Sequence, residues 1–350
     1  MQFANHENFF GMKNYLFVLT SFFLISCSQK KINPLIEVYN EKVISIIDIH
    51  SELEILADSL LLPEGPVWNK KSNELLFVDN LQNKVLSWSS RDGIKDYILE
   101  AGNTGYAPNL GNGLLGPNGL ALDNNNDLYI CQIGDRRIAK VNINSSNKRI
   151  FINVVDNYKG KRLNSPNDII IAKNGDIYFT DPAFAFFDPQ KFEFVDSELR
   201  ELNFNGVFKF NKDNNLLIAL DEGPGVPNGL GLSPDEKFLY VNKMGQPFSN
   251  ADSEILKINL SNNESETLFR GNDLVVKYNN GTDFDGMDVH SSGYIFTAGP
   301  GGLLIISPEG ELMARINSGQ ITNCTFNDDE SYLYITGFLN NPKLFRIKLK

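Results

Sequence analysis

Six short motifs carry the residues best suited to chemistry. They are Pro63-Glu64-Gly65, Pro117-Asn118-Gly119, Pro166-Asn167-Asp168, Pro227-Asn228-Gly229, Phe284-Asp285-Gly286 and Thr322-Asn323-Cys324. Their middle residues are two carboxylates and four amides. Such oxygens are hard donors, suited to Ca²⁺ or Mg²⁺ and, less selectively, to Zn²⁺ or Mn²⁺. Two carboxylates balance one divalent charge, and neutral amide oxygens fill further positions without adding charge. Two acids brought together without a cation or a proton repel each other. Turn chemistry is the competing explanation, because Asn-Gly and Asp-Gly are good turn formers. It accounts for interchangeable Asn, Asp and Gly. It does not account for Glu64, since Glu is not a favoured turn residue.

The spacing says which elements must position this set. Successive middle residues lie 54, 49, 61, 57 and 38 positions apart. Between them the chain reads as short aromatic or β-branched runs: ELLFVDN, DLYICQ, DIYFTDP, FLYVNK, YIFTAG and YLYITG. Each follows a polar turn, and helical periodicity is weak throughout. One small antiparallel sheet per repeat, recurring on this scale, predicts an all-β, six-bladed β-propeller. A β-sandwich explains short strands but not a motif recurring in phase. Only 28 residues run from Asn323 to Lys350, short of a full repeat. An N-terminal strand, from the pair Val43–Ile49 and Glu54–Leu60, is expected to complete the last blade and close the ring. The first strand of each propeller blade lines the central channel. The six motifs are therefore expected to gather at one mouth.

The chain has 350 residues, 42% hydrophobic and 21% charged, with a formal net charge of −11. That acidity makes nucleic acid a poor partner. Lys13 precedes an apolar run of eleven residues, Tyr15–Ile25, too short for a membrane span and suited to a signal-peptide core. It ends in Leu24-Ile25-Ser26-Cys27, which reads as a lipobox with cleavage before Cys27 and lipid on its sulfur; an ordinary secretory signal with a chance Cys is the alternative. The expected organisation is a signal peptide over 1–26 (with Met12 an alternative start), a lipidated Cys27 and tether over 27–42, and the propeller over 43–350. A lipid-anchored place in the cell envelope follows, with the membrane contacted only through that lipid, and a monomer is expected. Cys131 and Cys324 sit in or beside apolar runs, which favours two buried thiols over a disulfide.

LLPEGPVW, GPNGLALD, KRLNSPNDIIIAKNGDIYFTDP, VPNGLGLSPDEKFLYVN and DGMDVHSSGYIFTAG together resemble the gluconolactonase/regucalcin (senescence marker protein) family, its bacterial gluconolactonase branch above all. The resemblance covers about residues 52–350. It implies a six-bladed propeller holding one divalent cation, Ca²⁺ first and Zn²⁺, Mg²⁺ or Mn²⁺ as alternatives. It implies the metal ligands Glu64, Asn167, Asn228 and Asp285, although in some members the residue matching Asn167 contacts substrate or metal-bound water. The implied activity is hydrolysis of sugar lactones, with Asp285 as the base that activates water; related propellers act on phosphotriesters. No Ser or His nucleophile is required, and His290 is expected to be structural. One departure stands out. Where bacterial gluconolactonases carry an acidic-His-Gly-Asn-Arg-Arg stretch, this chain reads Gln132-Ile133-Gly134-Asp135-Arg136-Arg137. That replacement puts the usual sugar specificity in question, while Arg136 and Arg137 are expected to brace blade contacts.

Substrate contacts are expected from Asn118, Arg162 and Asn167. Lys161 and Arg162 read equally well as a solvated basic pair. The aromatic-rich stretch over 183–204 is long for a hairpin connection and is expected to wall the entrance, with Asp181 either holding that wall or ending a strand. Two other functions compete with a lactonase: a non-catalytic envelope propeller that binds sugars or proteins around a structural cation, and an esterase or phosphotriesterase.

Overall fold

The computed structural model describes residues 31–32, 35–111, 113–143, 149–278 and 282–350. The leader and Cys27 lie outside the described residues. The fold is the six-bladed propeller that the repeat predicts. The first blade is Pro63–Asn69, Glu74–Asp79, Lys84–Ser89 and Gly93–Leu99, in that order from the axis outward. The second, third and fourth blades start at Pro117–Leu122, Ile169–Ile171 and Val226–Leu232 and follow the same meander. The fifth and sixth start at Met287–Val289 and Gln320–Phe326. Innermost strands of successive blades are neighbours, and the sixth touches the first. Among the described residues no helix is long and apolar enough to cross a membrane.

The apolar runs of the second strands follow from this stacking. Alternate side chains of a strand point to opposite faces. In the first blade Leu75 and Phe77 pack with Tyr334 and Leu344 of the sixth blade. Leu76 and Val78 pack with Leu120 and Ile130 of the second. Both faces are buried, so the run is continuously apolar.

Closure differs from expectation in two places. The fourth strand of the sixth blade is Leu53–Ala57, paired with Asn341–Lys348, and Lys31–Ile32 adds a short fifth strand on its outer edge at Leu53 and Glu54. Val43–Ile49 is not its partner. Glu41–Ser45 instead forms a 3-10 turn, begun by the Asn40 side chain accepting from the Lys42 N–H at 3.1 Å. Val43, Ile46 and Ile47, spaced as on a helix face, sink into the core between the last two blades. The tether boundary is also corrected. Leu35–Val38 pairs with Leu312–Asn317 as a fifth strand of the fifth blade. Glu37 holds it there, accepting from the Arg315 guanidinium at 2.7 and 3.2 Å, with the Tyr278 ring 4.5 Å from that guanidinium.

Glu37→Gln tests that clamp. The hydrogen bonds from Arg315 and Tyr39 lower the Glu37 carboxyl from its ordinary 4.5 to about 2. A depressed carboxyl stabilises the fold above its unfolded value, and the contribution fades as pH falls toward the folded value. The variant is expected to be less stable by about 1 kcal/mol at neutral pH. Its deficit should shrink between roughly pH 4.5 and pH 2. A denaturation series that shows the same deficit at every pH contradicts the clamp.

The hub is built by bulges and glycines. Register slips occur at the motif between Glu64 and Val67, between Pro117 and Leu120, between Pro227 and Leu230, and between Ile321 and Asn323. A bulge bends its strand and re-aims the side chains beside it. It also frees backbone groups to bond the next blade: Gly119 N–H to Asn167 O (2.7 Å) and Gly229 N–H to Asp285 O (3.0 Å); in the fifth blade, which has no such slip, Gly286 N–H reaches Thr322 O (2.7 Å) from just before the strand. The glycines are there for close approach more than for turning. Only Gly65 of the four has a left-handed φ, at 47°. A Cβ on Gly65 would lie 2.1 Å from Asn118 O, and one on Gly119 would lie 2.8 Å from Asn167 O.

Candidate functional site

Each motif delivers one polar side chain to the channel, and the preceding loops set its aim. The Leu61 and Leu62 N–H groups donate to Asp79 at 2.8 and 3.0 Å. The Asn164 and Ser165 N–H groups donate to Asp181 at 2.8 and 2.7 Å. An Asp ending the second strand thus suspends the loop before Glu64, and another does so before Asn167. Asp181 therefore has a holding role, directed at the loop that presents Asn167. Burial pushes its carboxyl up to about 7, against the two N–H groups that it accepts.

Glu64, Asn118, Asn167, Asn228 and Asp285 line one cavity of about 250 Å³. Asn228 donates through Nδ2 to Met244 Sδ at 3.3 Å and hydrogen-bonds the Asp285 carboxylate. Burial pushes the Glu64 carboxyl up to about 8, opposed by the Gly65 N–H that it accepts at 3.1 Å. Burial also raises Asp285 well above the carboxylate range, and the charges of Glu64 and Asp168 raise it further. Asp285 keeps part of its surface open, whereas Glu64, Asn118, Asn167 and Asn228 are buried. Asn167 Oδ1 is buried with no hydrogen-bond partner.

Those features fit a divalent cation. The lining holds two mutually repelling carboxylates and an orphaned amide oxygen, and among the described residues no Lys, Arg or His lines the cavity to neutralise them. Among the described residues no three His, Cys, Asp or Glu side chains form a metal cluster. The donor set here is instead two carboxylates supplemented by amides, the pattern of a hard-cation site. Glu64, Asn167, Asn228 and Asp285 would hold the ion.

Two residues expected at the site lie elsewhere, and His290, expected to be structural, is outside it too. Arg162 does not line the cavity. It sits in the two-residue strand Lys161–Arg162, where its N–H donates to Glu201 at 2.8 Å and its guanidinium lies 5.8 Å from the Tyr106 ring. Asn323 turns toward the other half of the channel and hydrogen-bonds the Glu64 and Asp168 carboxylates from below. His290 is also outside, bonded to Ser292 Oγ (2.7 Å) and close to Glu330 (3.2 Å). The two arginines brace as expected. Arg136 donates to Leu163 O and Leu199 O at 2.8 and 2.7 Å, and Arg137 donates to Gln132 at 2.7 Å. Cys131 and Cys324 are free and buried.

The stretch over 183–204 walls the entrance. It folds as a 3-10 turn, Phe184–Phe186, and a small hairpin, Phe187–Asp188 with Glu193–Phe194. Phe184, Phe187 and Phe192 line the cavity with Phe248. Sequence reasoning missed Asn80, which lines the cavity, donates to Pro117 O at 3.0 Å and leaves its own Oδ1 unpartnered. Its position just past an Asp that ends a second strand was the available signal.

A six-bladed propeller with acidic and amide side chains at one channel mouth defines the class of protein. The family model for the SMP-30/gluconolactonase/LRE-like region matches residues 62–338, and the chain belongs to that family. It is 33% identical over 310 residues to a gluconolactonase of Zymomonas mobilis, covering 86% of this chain and 83% of that protein. A gluconolactonase structure from Xanthomonas campestris superposes with a TM-score of 0.74 at 25% identity, covering 92% of this chain and 98% of that one. A calcium-binding protein, regucalcin, from Agrobacterium tumefaciens has the same fold, with a TM-score of 0.62 at 14% identity, covering 85% and 94%.

Proposed function

We propose that the protein is a divalent-cation-dependent hydrolase that opens lactones of the sugar-lactone type, with Ca²⁺ the first candidate cation. The observation that carries this reading is the orphaned Asn167 Oδ1 in the same cavity as two mutually repelling carboxylates. Its relatives named gluconolactonase support the substrate class. When bound, the cation would polarise the ring carbonyl and stabilise the developing oxyanion. Glu64 serves as an anionic ligand, fixed by the Gly65 N–H and by Asn323. Asp285 has the open face, and its carboxylate, which a bound cation would keep ionised against the burial and neighbouring charges that raise it, is the base that takes a proton from water. Asn228 aims that carboxylate through its amide. Asn118 and Asn80 offer amide groups to the ring substituents. The aromatic wall keeps bulk water from the reacting centre.

The test is a proton-release assay with glucono-1,5-lactone and a panel of aldonolactones, before and after chelation. Hydrolysis above the spontaneous rate is expected, falling at least about tenfold with chelator and returning with Ca²⁺. A rate that chelator leaves untouched would remove the cation from the reading. No acceleration on any lactone would favour a non-catalytic binder.

A further inference from the structure

Above the carboxylate and amide floor most of the cavity wall is apolar: Leu114, Ile133, Phe187, Phe192, Met244 and Phe248 line it, against Gln320 and a Thr322 whose hydroxyl is spent on Pro63 O. Ile133 stands where the family pattern carries His, and Gln132 beside it is spent on Ala101 O (2.6 Å) and Arg137. Lys161 and Arg162, the basic pair read in the sequence, do not line the cavity. A site for a fully hydroxylated ring sets aromatic faces beside charged or amide groups that bond the hydroxyls along the ring edge. Here most of the hydrogen-bonding groups stay on the floor.

The wall is also a built surface. Phe187 meets Phe192, Phe194 and Phe248 with ring centroids 5.3, 5.3 and 6.0 Å apart. Phe192 lies 5.2 Å from Phe248 and remains 51% exposed at the rim. A large aromatic side chain left half in solvent, beside a cavity and supported by other rings, is a place where an apolar group loses water on binding.

The geometry points to a lactone with an apolar exocyclic substituent, alkyl or aryl, as the preferred substrate, its ring carbonyl on the polar floor and its substituent against Phe187, Phe192 and Phe248. This inference rests on the lactone reading of the same cavity and moves its preferred substrate from a polyhydroxylated ring to an apolar-substituted one. A hydrocarbon chain would gain from leaving water. Hydroxyls set against Phe187, Phe192 and Phe248 would lose their hydrogen bonds to water and find no partner in those rings.

Binding of non-hydrolysable lactams separates the two claims. Calorimetry on the full chain with Ca²⁺ would compare a δ-lactam bearing a pentyl chain with the polyhydroxylated gluconolactam. The pentyl lactam is expected to bind at least about tenfold tighter. Phe192→Ser is expected to cut that preference about fivefold or more, and Phe248→Ser provides a second variant from another blade. Equal or tighter binding of the polyhydroxylated lactam, binding of neither lactam, or a preference that both variants leave intact would each overturn the inference. Turnover reports on the hydrolase reading separately. Pentyl preference without opening of any lactone removes the enzyme and keeps the cavity assignment. Lactone opening with the preference reversed does the opposite.

Discussion

Asp285→Asn should lower kcat for lactone opening by about 10²–10⁴-fold with little change in stability. The amide retains an oxygen for the cation and nearly the same volume. It cannot take a proton from water at neutral pH. Asn228 now donates to the Asp285 carboxylate, and it could still donate to the amide oxygen of the variant. The change therefore isolates the proton-accepting role from packing. Glu64→Gln supplies the contrast, because Glu64 is buried and bonded by Gly65 and Asn323, with less access to a substrate. Its main expected loss is cation affinity, so added Ca²⁺ should recover part of its activity and none of that of Asp285→Asn. Metal titration followed by steady-state kinetics on both variants reads this difference. An Asp285→Asn enzyme within fivefold of the parent would move the base elsewhere.

The second large effect is expected at a residue with no side chain. A Cβ on Gly229 would lie 2.4 Å from Asp285 O and 2.5 Å from Gly286 Cα. Both atoms are backbone, so no side chain can swing aside. Gly229→Ala must separate the fourth and fifth blades at the hub. The hydrogen bond from Gly229 N–H to Asp285 O would stretch with it. A loss of about 3 kcal/mol is expected, near the upper end for overpacking, and a fall in Tm of about 4 °C. Activity should fall further than stability implies. Asn228 and Asp285 flank the clash, and a displacement near 1 Å can cost about 100-fold in rate. Thermal melts with kinetics at a temperature where the variant is folded would check both. An unchanged melting temperature would show that the hub is looser than its packing indicates.

Much of this molecule was legible in the chain. The six motifs recur because each blade is a local meander, and local strands and turns follow from nearby residues. Blade repetition then converts separations of 38–61 positions into proximity around one axis. That conversion is why Glu64, Asn118, Asn167, Asn228 and Asp285 were found together in one cavity. The runs that became second strands were apolar on both faces, which stacked blades require and an exposed sheet does not.

Other features had no local signal. Asn323 occupies the same repeat position as the ligands, yet it turns down the channel, where Gly286 leaves space for it: a Cβ there would sit 2.0 Å from Asn323 Cγ. Arg162 gives its backbone N–H to Glu201 and lays its guanidinium near the Tyr106 ring, partners 39 and 56 positions away. Leu35–Val38 docks on a strand nearly 280 residues later because Arg315 needs a carboxylate. The aromatic wall joins rings from the third and fourth blades, whose contact no window of sequence contains. Periodic, local energy terms write themselves into the order of residues. The direction of a single side chain, and the docking of a terminal strand, depend on what the closed ring brings alongside. Those were decided only in three dimensions.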